Sequence, residues 1–148
     1  MTLKEQLNEA VKNALKSGEE MRKKTLRMVQ AAIKQVEVDK RIELDDAAVM
    51  AILQREIKLR KESLDEATNA KREDLAADAR VEIEILKEFL PKSLSEDELR
   101  SIVTLAIAEV GATGLTDMGK VMKAVMPKVN GKATGDEISS MVKSLLSA

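Results

Sequence analysis

The feature that most constrains the fold is how rarely this chain contains a residue that breaks a helix. Proline occurs only at Pro91 and Pro127, and five of the six glycines lie after residue 110. Elsewhere the apolar residues recur every three or four positions, which is the period of an amphipathic helix. We find no segment with the two-residue period of a strand. The sequence therefore predicts an all-α protein.

Four long helices are predicted before the first proline. The first two are separated by Ser17-Gly18, the third is capped by Asp45 or Asp46, and the fourth ends at Leu90, because Pro91 disfavours helix in the residue before it. The residues predicted to face inward are, helix by helix, Leu3, Leu7, Val11 and Leu15; Leu26, Val29, Ile33 and Val36; Val49, Ile52, Leu53, Ile57 and Leu64; and Leu75, Ala79, Ile83, Leu86 and Leu90.

Three shorter helices are predicted after the first proline. Ser95 opens a capping box for one, Thr116 caps the next, which should end near Met126 because Pro127 follows, and Thr134 caps the last. We therefore expect an N-terminal long-helix hairpin or bundle at residues 1–92. A small three-helix C-terminal domain should follow at residues 93–148.

The residue inventory limits what the chain can do chemically. It has no histidine, cysteine, tryptophan or tyrosine, and Phe89 is its one aromatic residue. The usual general base at neutral pH, the thiol nucleophile and the common zinc ligands are therefore missing. We predict no catalytic residues, no metal site and no cofactor. The absence of cysteine, of a signal-like start and of an apolar run of about 20 residues predicts a cytoplasmic protein without a membrane segment.

A lysine cluster is the best candidate for a binding site. The formal net charge of −1 means that any nucleic-acid contact has to come from a local basic surface. No acid occurs between Gly119 and Lys132, and Gly119, Gly131 and Gly135 allow a ligand to approach the backbone closely. The alternative is a solvated helix face. The cluster consists of Lys120, Lys123, Lys128 and Lys132.

Three other patterns favour structural interpretations. Gly114 to Lys120 matches G-x-x-x-x-G-K, but Val121 replaces the magnesium-binding Ser or Thr and no strand precedes it. Basic residues of the second and third helices lie in a segment, residues 1–92, with 19 basic and 19 acidic residues, so ion pairing within the chain is expected. Met118, Met122 and Met126 indicate a core stripe, or alternatively a partner groove.

Several segments resemble the YqeY family over nearly the whole chain. They are Arg60-Lys61-Glu62-Ser63-Leu64, Asn69-Ala70-x-Arg72-x-Asp74-Leu75, Glu88-Phe89-Leu90-Pro91, Asp117-Met118-Gly119-Lys120-Val121-Met122 and Gly131-Lys132-Ala133-x-Gly135. Lys123 stands where that family usually has glycine, and Thr134 where it has aspartate. The second part of the family is similar to the tail of the B subunit of tRNA-dependent Asp/Glu amidotransferase. That resemblance implies tRNA binding by Lys120, Lys132 and the nearby glycines.

The resemblance also implies an association with carbon–nitrogen ligase activity that uses glutamine as amido-N-donor. The amidase chemistry of that enzyme belongs to its A subunit and the phosphorylation chemistry to the catalytic part of its B subunit, neither of which matches this chain. We therefore expect a non-catalytic accessory protein that binds tRNA or structured RNA. The alternative is a protein–protein adaptor that docks on a synthetase or amidotransferase, a partner in the translation apparatus.

Overall fold

The structure, a computed structural model, describes residues 1–147, and every regular element in that range is helical. The all-α prediction is confirmed. The α-helices are α1 (Leu3–Ser17), α2 (Glu20–Lys40), α3 (Asp46–Asn69), α4 (Glu73–Lys87), α5 (Glu96–Val110), α6 (Met118–Val129) and α7 (Gly135–Leu146), with a short 3-10 helix at Leu115–Asp117 before α6.

Backbone contacts divide the chain into two compact units, Met1–Leu90 and the part that begins at Pro91. The first unit contains α1 to α4, and α3 packs mainly on α4 while α1 packs mainly on α2. The second contains α5 to α7, with α6 against both neighbours. Each unit has its own apolar core, centred on Leu7, Leu26, Leu53 and Leu86 in the first and on Val103, Val121, Val125 and Ile138 in the second. The division into domains at residues 1–92 and 93–148 stays a prediction.

The starts of α1, α3, α5 and α7 follow from capping side chains that the sequence shows. The Thr2, Ser95 and Thr134 hydroxyls each accept a hydrogen bond from the backbone N–H three residues on, and the Asp45 carboxylate does the same. The neighbouring Asp46 has a different role, because its Oδ1 accepts from the Leu3 N–H at 3.0 Å. One aspartate therefore starts α3 while the next joins α3 to the start of α1.

Two predicted helix ends are wrong. α6 continues through Pro127 to Val129. A proline in the last turn removes only one backbone hydrogen bond. The extra turn is stabilised because the Val129 side chain, only 1% exposed, packs into the core of the second unit. α4 ends at Lys87 rather than at Leu90. The chain then continues in a tight turn, in which the Leu90 N–H donates to the Lys87 carbonyl at 3.1 Å.

Two predicted core residues are also wrong: Leu15 is 50% exposed and Leu75 is 49% exposed. The four-residue spacing that led to Leu15 drifts about 40° per step from the true helical period, so Leu15 lies about 120° from Leu3 around the helix. Ala14 lies only about 20° from Leu3, and it is the residue that is buried. On α4 the alanines Ala76 and Ala79 face inward in the same way.

None of the described helices is by itself long and apolar enough to cross a membrane. By length and composition alone, α5 together with Leu115–Val129 would be sufficient, and these two segments are bent by 94° relative to each other.

Candidate nucleic-acid interface

The orientation of α6 decides which lysines face outward. Its buried side is formed by Val121, Val125 and Val129, which pack with residues of α5 and α7. With about 100° of rotation per residue, Lys120 and Lys123 lie about 140° and 160° from the centre of that valine stripe. Both side chains are exposed. These two lysines therefore face away from the core of the second unit.

Lys128 differs from the other predicted lysines because an acid from a neighbouring helix neutralises it. It lies only about 60° from the centre of the valine stripe, on the flank of α6. Its Nζ is 2.7 Å from Oε2 of Glu109, near the end of α5. The sequence showed no acid between Gly119 and Lys132, but the pairing carboxylate comes from 19 residues earlier in the chain.

Asp117 organises the start of α6 in a way that the sequence analysis missed. Its carboxylate accepts a hydrogen bond from the Thr113 N–H at 3.0 Å and lies 4.0 Å from the Lys120 Nζ. The bond from Thr113 and, to a smaller extent, the charge of Lys120 lower the pKa of Asp117. Thr116 is not the cap that we predicted, since it lies inside the 3-10 helix that precedes α6. A possible sequence signal was the Thr113-x-x-x-Asp117 spacing, which suits a side chain closing a turn.

Lys132 lies in the turn between α6 and α7. Asn130 and Gly131 both have left-handed backbone conformations, with φ of 45° and 79°. The Lys132 backbone is tied down, because its N–H donates to Val129 O and its carbonyl accepts from the Leu94 N–H, each at 2.9 Å. Its side chain is exposed. Among residues 1–147, neither Lys123 nor Lys132 has a carboxylate within ion-pair distance.

At two of the three predicted glycines, no neighbouring atom would clash with a larger side chain's Cβ. Gly119 is the second residue of α6 and Gly135 the first of α7, and a Cβ built on either would meet no atom within 4 Å. Neither has a positive φ. Gly131 differs, since its φ of 79° favours glycine on conformational grounds. The open space at Gly119 and Gly135 lies beside the free N–H groups of two helix starts.

The lysines extend along α6 rather than forming one pocket. Lys120 is in the first turn of α6 and Lys128 in the last, about 12 Å apart along the axis at 1.5 Å per residue. No group of three or more His, Cys, Asp or Glu residues in the described range could hold a metal ion. The four predicted lysines are thus spread over α6 and the turn that follows it and do not line a single pocket.

The methionines of α6 are divided between core and surface. Met118 and Met122 are half-buried and pack against the core of the second unit, whereas Met126 is exposed. The predicted core stripe therefore holds for the first two and is wrong for the third.

Some basic residues of α2 and α3, namely Arg22, Lys23 and Arg60, form ion pairs within the first unit. Arg60 is buried and contacts both Glu56, at 2.6 Å, and Glu82, at 2.9 Å. Arg22 pairs with Glu88 at 2.7 Å, and its guanidinium lies 5.9 Å from the centre of the Phe89 ring. These pairs agree with the internal ion pairing that the charge balance predicted.

The structure is that of an all-α protein. Its last two helices have exposed lysines nearby and begin with glycines at which a Cβ would meet no other atom within 4 Å. The chain belongs to the Yqey-like protein family, whose model matches residues 4–146, so the resemblance seen in the motifs is confirmed. It is also similar to altered inheritance of mitochondria protein 41, a mitochondrial protein of Pyrenophora tritici-repentis (strain Pt-1C-BFP). The two are 28% identical over 141 residues, which cover 93% of this chain and 77% of the relative.

Proposed function

We propose that the second unit binds the sugar–phosphate backbone of tRNA or another structured RNA and catalyses no reaction on it. The observation that carries the proposal is the combination of two glycines that packing does not require, Gly119 and Gly135, with three exposed lysines, Lys120, Lys123 and Lys132. In the interior of an α-helix glycine costs about 0.5–1 kcal/mol relative to alanine, and in the first turn, where these two residues lie, the cost is smaller. A ligand that needs close access to the backbone gives these positions a reason to lack a side chain.

The chemistry of the two helix starts supports a phosphate ligand. The helix dipole favours negative charge at the starts of α6 and α7, where some backbone N–H groups have no partner within the helix. The Met118 N–H is already bonded to the Leu115 carbonyl and the Glu137 N–H to the Thr134 hydroxyl. Lys120 and Lys123 add two exposed charges at the α6 end, and Lys132 adds one before α7. Contacts of this kind recognise backbone shape and charge rather than base sequence, as is typical for double-stranded RNA.

The proposal differs from the sequence prediction in the weight given to Lys128. Its ammonium group is already in contact with the Glu109 carboxylate, so it contributes little to the outward potential. We therefore assign the phosphate contacts to Lys120, Lys123 and Lys132.

The methionines of α6 do not support the alternative function, a protein–protein adaptor. Met118 and Met122 contribute to the core of the second unit, so the three α6 methionines do not form one contiguous exposed patch.

A charge-matched pair of variants tests the proposal. Replacing Lys120, Lys123 and Lys132 by alanine should weaken binding of unmodified bulk tRNA roughly tenfold or more, because each phosphate contact is lost. The control replaces three exposed lysines of the first unit, Lys12, Lys16 and Lys61, which gives the same net charge. Binding is measured by fluorescence anisotropy with the full chain. Equal losses in the two variants, or no loss in the first, would contradict the site.

A further inference from the structure

A second surface lies in the first unit, on the outward face of α2. It is an open groove of about 780 Å³. Its lining comes entirely from the first half of α2 and consists of Glu20, Met21, Lys23, Lys24, Arg27, Met28 and Ala31.

The apolar residues that line this α2 groove lie on one side of the helix. Met21, Met28 and Ala31 lie along ten residues of α2, which is about 15 Å or nearly three turns. Met28 is 49% exposed although its side chain is apolar. Methionine is flexible and polarisable, and it adapts to the side chains of a partner helix.

The Met28 side chain contacts a buried arginine of α3. The Arg60 Nη2 donates to the Met28 Sδ at 3.7 Å. Arg60 itself is only 6% exposed and is fixed by Glu56 and Glu82. A buried ion-pair network thus orients a methionine that remains largely open to solvent, which reduces the side-chain entropy that binding would otherwise cost.

The charged residues that line the groove carry a net positive charge. Lys23 is neutralised by Glu20 at 2.8 Å. Lys24 and Arg27 are exposed, and Glu20 is the one acid among the residues that line the groove. Since basic and acidic residues are balanced over residues 1–92, this excess of two positive charges is local.

We propose that the α2 groove docks an acidic amphipathic helix of a partner protein. Its apolar side chains would cover Met21, Met28 and Ala31, and carboxylates on its flanks would pair with Lys24 and Arg27. A nucleic acid fits less well, because the groove offers apolar contacts and lacks the aromatic rings on which bases stack. This surface is separate from the lysines of α6 and does not depend on the RNA proposal.

The first test uses the full chain labelled with ¹³C at its methionine methyl groups and an acidic helical peptide of about 18 residues, long enough to form a helix. The peptide carries leucine at i, i+3, i+4 and i+7 and glutamate on both flanks. We expect the Met21 and Met28 signals to shift on titration while the Met126 and Met141 signals do not. A matched peptide with lysine in place of glutamate should cause no shift. Shifts with both peptides, or with neither, would overturn the proposal.

The second test uses charge reversal. K24E/R27E should weaken the acidic peptide roughly tenfold or more, because two attractive pairs become repulsive. K12E/K16E on α1 makes the same change in net charge and should leave the affinity unchanged, as should alanine at Lys120, Lys123 and Lys132. Equal loss in both reversals would overturn the site. So would self-association of the wild-type chain that K24E/R27E abolishes in sedimentation, or tRNA binding that is lost with K24E/R27E.

Discussion

At the residue scale, the contact between Lys128 and Glu109 shows how one carboxylate can change the composition of a binding surface. The 2.7 Å ion pair holds a lysine that would otherwise belong to the basic surface of α6. Both side chains remain substantially exposed, so the pair itself contributes little to stability. Its main effect is on the electrostatic potential at the surface of α6.

We predict that E109Q strengthens RNA binding. Without the carboxylate, Lys128 is free to contact an additional phosphate, and the log–log salt slope should become more negative by up to about 1. The free energy of unfolding should change by less than about 1 kcal/mol, because an exposed pair is lost. Binding isotherms at several salt concentrations measure the slope. The double variant E109Q/K128A, which should lack the gain, is the control.

Glu37 gives a prediction about pH. Its pKa is lowered, first by the hydrogen bond from Lys4 at 2.7 Å and then by the bond from the Leu44 N–H at 2.9 Å. A carboxylate whose pKa is lowered in the folded state contributes stability that is present above its unfolded pKa and lost as the pH falls through the folded value. E37Q should therefore be less stable than wild type near neutrality and should lose less stability on acidification.

Thermal unfolding midpoints between about pH 3 and pH 7 measure this difference. The matched control is E43Q, because Glu43 lies 3.5 Å from the same lysine but is almost fully exposed. E43Q should retain the wild-type pH profile. A wild-type profile in E37Q would show that the Lys4–Glu37 contact does not form in solution.

At the element scale, the glycines near the starts of α6 and α7 have two different backbone conformations. Gly119 stands in a helix in open space, whereas Gly131 stands in a left-handed turn. Substitution by alanine should therefore have opposite effects on stability at the two positions. Only the first substitution adds a side chain without straining the backbone.

We predict that G119A raises the free energy of unfolding by about 0.5 kcal/mol, because alanine favours the helix. G131A should lower it by about 1 kcal/mol, because an L residue is strained at a positive φ. Despite its greater stability, G119A should bind tRNA more weakly, since the new methyl group obstructs close approach. Urea unfolding and anisotropy titrations measure the two effects. Unchanged RNA affinity in G119A would remove the main support for the glycine argument.

The contacts among α2, α3 and α4 depend on the buried Arg60. Replacing it by methionine leaves Glu56 and Glu82 without their common partner, and we expect a loss of about 3 kcal/mol. R80A removes an arginine–glutamate pair in which Arg80 is half-exposed and should cost less than about 1 kcal/mol. Denaturant unfolding of the full chain measures both. Similar losses in the two variants would show that burial adds nothing to the Arg60 network.

At the scale of the whole molecule, the near-neutral net charge conceals local surfaces of positive charge. The formal net charge is −1, yet the lysines of α6 and the lining of the α2 groove are both basic. Attraction to RNA should therefore be short-ranged and sensitive to salt. The two surfaces belong to different units, and we expect their ligands to be chemically different.

For tRNA binding by the full chain, we predict that the logarithm of the binding constant falls with the logarithm of the salt concentration with a slope of about −2 to −3. The reason is that three lysines neutralise about three phosphates. Titrations between about 50 and 200 mM salt, where such contacts weaken strongly, measure the slope. The alanine variant of Lys120, Lys123 and Lys132 should have a slope near zero. A steep slope that persists in that variant would place the contacts elsewhere.

The sequence by itself determined the helical class, most of the helix starts and the family. These depend on local information: the sparse breakers, caps such as Thr2, Asp45, Ser95 and Thr134, and motifs that can be read along the chain. Burial was predicted where apolar residues followed the helical period. It was wrong at Leu15 and Leu75, where a smaller alanine had the better angular position.

Only the tertiary structure decided which charges remain available. Glu109 neutralises Lys128 from another helix, because helix packing brings together residues that lie apart in the chain. The turn before α6 also places the Asp117 carboxylate near Lys120. The same holds for the α2 groove, where Arg60 from α3 positions Met28. Charge and side-chain position depend on distances in space, and neither composition nor periodicity contains those distances.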